Sequence, residues 1–279
     1  MEKIVVAKHK DSVIKKFNSM LDCLINSDVD KNIKKASLLS YWIKDYTDYL
    51  IKESSFDPKQ GIKYKRGDIV KINLGFNIGN EEGGLHYCVV LDNNSPISSG
   101  TITVIPLSSY KKDKKIHFTS VLLGNTIYSS LLDKGKAIID SSNEYKKKLK
   151  SLDMLNPDAV SNIAMLNREY NEKILFTNKI LLEIEKMKYG SIALVNQITT
   201  ISKLRIYNPK SSYDILYNIK LTPKEMDLIN IKIQELYIFH KKSDNIGQVK
   251  ENEISIKIEE FIRIEEIIKV EELEEAKMT

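Results

Sequence analysis

The sequence holds four histidines, two cysteines and one tryptophan in 279 residues, and these scarcities exclude several kinds of protein. Cys23 and Cys88 lie far apart, one in a helical pattern and one in an apolar strand, so both are expected to be reduced core residues. No Cys or His spacing of a metal site occurs, and no metal or cofactor is expected. The chain has no apolar run of about 18 residues for a membrane span. Its start, MEKIVVAKHKDSVIKK, has too short an apolar run for a signal peptide, which points to a cytoplasmic protein. Nor does it contain the G-x-x-x-x-G-K-S/T spacing of a nucleotide loop, which counts against ATP or GTP.

There is enough apolar content, 42%, for a real core, and the charge is unevenly spread. Residues 251–279 hold ten acidic and four basic residues, a net of −6, which leaves +11 on residues 1–250 of a chain at +5 overall. A basic body with an acidic tail suits a polyanionic partner; solubility in a lysine-rich composition is the plainer reading of the same charge.

Three regions emerge. Residues 1–60 read as an N-terminal helical extension, with Val13, Phe17, Met20, Leu21 and Leu24, then Ile33, Leu38, Leu39, Trp42, Tyr46, Tyr49 and Leu50, at helical spacing. FDPKQG breaks that pattern. Residues 61–245 begin with strands: KRGDIVKINLG alternates Val70, Ile72 and Leu74 with Lys71 and Asn73 as a half-buried strand would, and YCVVLD, TITVIPLSS and IHFTSVLL follow. A helical insertion at about 125–188 comes next, periodic from 146, and SIALVNQITTISKLRI returns to strand character. Thr222-Pro223-Lys224-Glu225 is a capping box that opens a last helix running to about His240. Residues 246–279 form an acidic tail with three near-copies of a six-residue unit, IKIEEF, IRIEEI and IKVEEL, matching neither helical nor strand periodicity throughout. The pattern calls for an α+β protein built on a small antiparallel barrel or sheet with added helices.

One stretch stands out. GNEEGGLHYCVVLDNN (residues 79–94) places a histidine, His86, where a glycine loop enters an apolar strand. Gly79, Gly83 and Gly84 suggest a mobile rim whose N–H groups can approach a phosphate.

Taken in order, KRGDIVKINLG, GNEEGGLHYCVVLDNN, TVIPLSS and SIALVNQITTISKLRI resemble the PemK/MazF family of toxins from type II toxin–antitoxin systems, over residues 64–110 and 189–240. The resemblance implies an SH3-like antiparallel β-barrel (PemK/MazF/CcdB-like), a homodimer, and metal-free cleavage of single-stranded RNA at short sequences. It also implies a neutralising antitoxin partner. The family's arginine near the end of the glycine loop and the Thr or Ser ending the later strand fall on His86 and Ser108, and its loop glutamate on Glu81. Histidine in place of arginine is a departure from the short members, though the resemblance extends to longer members with N-terminal helices, where histidine is frequent.

The implied chemistry uses the ribose 2′-OH as nucleophile. It needs a group to take that proton, a donor to the charged phosphorane and a proton for the 5′-oxygen. Histidine, with an ordinary pKa of about 6.5, suits His86 to acid–base work. Ser108 is the phosphate donor, and Glu81 orients His86 or competes as base; both fit ordinary loop and turn residues equally well. For RNA binding the candidates are Arg66, Lys71, Lys203 and Arg205 toward phosphates, with Gly83, Gly84 and Ser109 at the rim. Gln197 reads a base edge or bonds neighbouring backbone, and Tyr64, Phe76 and Tyr87 are stacking platforms or packing. A non-catalytic binding protein on the same fold stays open, of the kind that poisons DNA gyrase or regulates through nucleic acid. So does self-inhibition by residues 1–55 or by the acidic tail.

Overall fold

The computed structural model describes residues 3–93, 95–111, 115–150, 159–186 and 190–238. The six-residue repeats at 256–273 lie outside them. Helices α1 (Lys3–Ile25) and α2 (Asp30–Glu53) follow the two expected apolar periodicities. They form an open pair: α1 buries no residue, and α2 buries only Ala36. A short turn at Pro58–Gln60, capped where the Asp57 carboxylate accepts from Lys59 N–H, ends the helical region.

Seven strands make one antiparallel sheet: β1 (Ile69–Asn73), β2 (Leu85–Val90), β3 (Thr101–Ser109), β4 (Ser120–Leu123), β5 (Ser191–Leu194), β6 (Thr199–Ser202) and β7 (Ile206–Asn208). They pair in the order β4-β5-β3-β2-β1-β7, and β6 also pairs with β3. Strand β3 organises the sheet. Val104–Leu107 pair with β2 on one edge, while its other edge is shared, Leu107–Ser109 with β5 and Thr101–Val104 with β6. The segment SIALVNQITTISKLRI, expected to return to strand character, divides into three strands. Leu107 pairs with Ala193 but Val104 with Thr199, so the return segment must take up extra residues, and the turn Val195–Gln197 does so. Among the described residues no ladder joins β4 to β7, so the sheet is open rather than a closed barrel.

Both faces of the sheet are covered. One carries Val70, Ile72, Leu74, Cys88, Val90, Ile102, Val104, Ile201 and Ile206. The other carries Ile69, Val89, Ile105 and Leu107, packed with Ile127, Leu131, Ile180, Ile184, Met226 and Ile229 from the helices α3 (Thr126–Lys150), α4 (Ala159–Lys186) and α5 (Pro223–Tyr237). Strand β1 is thus buried on both sides, not half-buried as its alternation suggested. Helix α3 starts at Thr126, ahead of the periodic stretch, because Ile127 and Leu131 already dock on the sheet. The capping box forms as expected: Thr222 Oγ1 accepts from Glu225 N–H at 3.3 Å, and the Glu225 carboxylate accepts from Thr222 N–H at 2.8 Å.

Candidate active site

The loop between β1 and β2 is tied, not mobile as its glycines suggested. Leu74 N–H donates to Gly84 O at 2.7 Å and Gly84 N–H to Gly75 O at 2.6 Å, extending the ladder past the strand ends. Gly75 and Gly84 hold left-handed φ values of +89° and +86°. A Cβ on Gly83 would stand 2.8 Å from the Gly75 carbonyl oxygen, so the two limbs close only because position 83 has no side chain. Side chains fasten the tip. Asn77 Nδ2 donates to Glu82 O at 2.6 Å; Gln197 accepts from Glu82 N–H at 3.1 Å and donates to Asn80 O at 3.2 Å.

This arrangement presents Glu82, not Glu81, to the histidine. Glu82 Oε1 lies 3.0 Å from His86 Nε2, whereas the Glu81 carboxylate accepts from Ile78 N–H at 3.4 Å within the loop. Two adjacent glutamates point different ways along the tip, which sequence spacing does not reveal. On its other side the His86 ring sets Nδ1 3.4 Å from Leu107 O. Both ring nitrogens therefore face acceptors, and a ring carrying two protons donates to each, while a neutral ring donates to one at a time.

The last β2–β3 pair is Tyr87↔Leu107, and His86 and Ser108 are the next residues along their strands beyond it. A cleft of about 360 Å³ opens over this pair, with Tyr87, Leu107, Ser109 and Lys111 also on its walls. Lys111, two residues past the end of β3, stands at the cleft rim.

The other basic candidates face inward. Arg66 donates to Leu91 O and to the Asn230 side chain of α5, and Lys203, 7% exposed, donates to Pro96 O at 3.1 Å. Burial lowers the Lys203 ammonium pKa, with Asp92 opposing the shift. Lys71 stands 3.0 Å from both oxygens of Glu183 on α4 and 4.9 Å above the Tyr87 ring. Arg205 donates through Nε to Asn73 O at 2.9 Å, and burial lowers its pKa. None of the four lines the cleft. Of the aromatic candidates, Tyr87 lines it; Tyr64 is buried with its hydroxyl donating to Pro209 O at 2.7 Å, and Phe76 faces a different cavity.

That second cavity, about 610 Å³, lies between α2 and the outer side of the glycine loop. Trp42 anchors it. Its ring lies where a Cβ on Gly75 would come within 2.8 Å, the Arg205 guanidinium sits 5.4 Å over it, and Asp45 accepts from Asn73 Nδ2 at 3.0 Å. Among the described residues of the N-terminal helices, α2 is placed against the root of the loop.

An α+β protein with a carboxylate-paired histidine lining an open cleft beside strand-end serines is the class defined so far. Residues 65–162 of the chain match the family described as the PemK-like, MazF-like toxin of type II toxin–antitoxin system. The matched segment carries β1 to β4, α3, His86 and Ser108, and stops before β5–β7, the part of the expected resemblance that completes the sheet. No curated protein matches the chain. Among the described residues no helix is long and apolar enough to cross a membrane, and no group of three His, Cys, Asp or Glu side chains could hold a metal ion.

Proposed function

We propose that the protein is a toxin-type endoribonuclease that cleaves single-stranded RNA by attack of the ribose 2′-OH, without a metal. The observation that carries this reading is His86, 3.0 Å from Glu82 and lining a cleft with Ser108 and Lys111, inside the segment similar to RNA-cleaving toxins. The 2′-oxygen forms a bond to phosphorus while the bond to the 5′-oxygen breaks, leaving a 2′,3′-cyclic phosphate and a 5′-hydroxyl. His86 is the proton-transfer residue. The Leu107 carbonyl holds its ring at Nδ1, Glu82 orients the free ring at Nε2 and yields that nitrogen to the RNA, Ser108 donates to a non-bridging oxygen, and the Lys111 ammonium opposes the charge that gathers on the phosphorane. Arg66, Lys71, Lys203 and Arg205 serve the fold, which leaves the strand-end face, with Ser109 and Lys111, as the RNA-binding surface. A homodimer and a partner antitoxin that covers the cleft complete the reading by family likeness.

The test is cleavage of a single-stranded RNA by purified protein in EDTA. Wild type is expected to cut and to leave cyclic-phosphate ends. His86→Ala is expected to lose about 10²–10⁴-fold, with Ser108→Ala weaker than wild type but above His86→Ala. An RNA left intact by wild type, or cut equally by His86→Ala, rejects the proposal.

A further inference from the structure

Gln197 closes the turn that lets β5 and β6 share one edge of β3, and its side chain reaches across to the glycine loop. Its amide is used at both ends. Nε2 donates to Asn80 O at 3.2 Å, and Oε1 accepts from Glu82 N–H at 3.1 Å. One partner is a carbonyl and the other an N–H, so a single orientation of the amide satisfies both. A base edge would have to displace these bonds, and Gln197 does not line the His86 cleft.

The consequence falls on Glu82. Its N–H is held by Gln197 and its C=O by Asn77 at 2.6 Å, so both peptide groups flanking it are fixed and only its side-chain torsions remain free. Those torsions carry the carboxylate to within 3.0 Å of His86 Nε2. We infer that Gln197 is a positioning residue: it fixes the loop backbone so that Glu82 meets and orients His86. The residue lies outside the matched segment 65–162, so the chain beyond that segment helps assemble the site. The inference rests on the endoribonuclease reading for its effect on rate, but not for its effect on the loop.

Gln197→Met keeps length and removes both bonds; Gln197→Glu keeps the acceptor for Glu82 N–H and loses the donor. With a defined single-stranded RNA, Gln197→Met is expected to lower kcat about 10²-fold, the size of a small misplacement of a reacting group, with KM within about twofold. Gln197→Glu should fall between it and wild type. If Gln197 acts through Glu82, the double variant Gln197→Met/Glu82→Gln loses no more than Glu82→Gln alone. Independently of activity, amide hydrogen exchange at Glu82 is expected to be faster in Gln197→Met at unchanged Tm. Should Gln197→Met melt early, Gln197→Glu carries both measurements. Losses that add in the double variant, a raised KM at unchanged kcat, or unchanged Glu82 exchange each overturn the inference. A wild type that cuts no RNA while Gln197→Met still speeds exchange at Glu82 rejects the enzymatic reading and upholds the hold on the loop.

Discussion

Asp68, at the entry to β1, shows what one side chain trades for its place. Its carboxylate accepts from Lys65 N–H at 2.8 Å and so closes the turn that starts the strand. Burial raises its pKa above the ordinary 3.8, more than that bond and the nearby Lys220 and Lys65 charges lower it. The raised value means the folded protein holds this proton more tightly than the unfolded chain. The stabilising contribution is therefore complete below the unfolded pKa and decays as pH rises from about 4 through the higher folded value. Asp68→Asn removes that titration. Denaturant melts at pH 4 and pH 7 are expected to show the wild type gaining on the variant at pH 4; a pH-independent difference counts against it. At this scale the sequence was readable in part. His86 could be singled out as a histidine at a glycine loop. Its partner could not, because whether Glu81 or Glu82 faces the ring depends on bonds from Gln197, far along the chain.

Among the elements, α4 does the most to alter what the strand pattern implied. Alternation in β1 correctly placed Val70, Ile72 and Leu74 on one face of the sheet, and it made Lys71 a surface residue available to RNA. The cover on the other face comes from helices that begin at Thr126 and beyond, which no local period can announce. Under that cover Lys71 is 9% exposed and its charge is matched by Glu183, with which it is bonded at 3.0 Å. Removing one member of such a pair leaves a buried charge, at a cost of about 3 kcal/mol or more, whereas replacing both by apolar side chains is often neutral or better. Glu183→Gln is accordingly expected to be clearly destabilised in urea, and Lys71→Met/Glu183→Leu to recover most of the loss. Equal stability of Glu183→Gln and wild type would show the pair to be solvated. The broken return segment has a similar cause: β5 and β6 meet different halves of β3, and SIALVNQITTISKLRI by itself carries no sign of the offset.

For the whole molecule the telling feature is that β3 has both edges paired, one by β2 and the other by strands from beyond residue 190. The segment matching the toxin family ends at 162 and so omits the second set. Produced alone, residues 65–162 would bare a nine-residue edge of apolar composition, TITVIPLSS, and unprotected edges of that kind recruit other strands. The fragment is expected to self-associate in size-exclusion chromatography, while residues 61–240 remain far less associated under the same conditions. A well-behaved monomeric fragment would mean that β3 manages its edge without β5 and β6. The α+β class, the first four strands and the closing helix were legible from alternation, periodicity and the Thr222 capping box. The open sheet was not, since closure depends on pairing between distant strands rather than on any strand's own pattern.

Trp42 gives this architecture a built-in lamp. It is the chain's sole tryptophan, and it sits on α2 beneath Arg205 and against Gly75, at the root of the loop that carries Glu82. Its indole emission therefore reports on one place, bounded by the Arg205 guanidinium, the Gly75 turn and the rings of Tyr46 and Tyr49. An event at the cleft that loosens the loop, or one at the N-terminal helices that lifts α2, would reach a detector as the same change in colour, with no label attached to the protein.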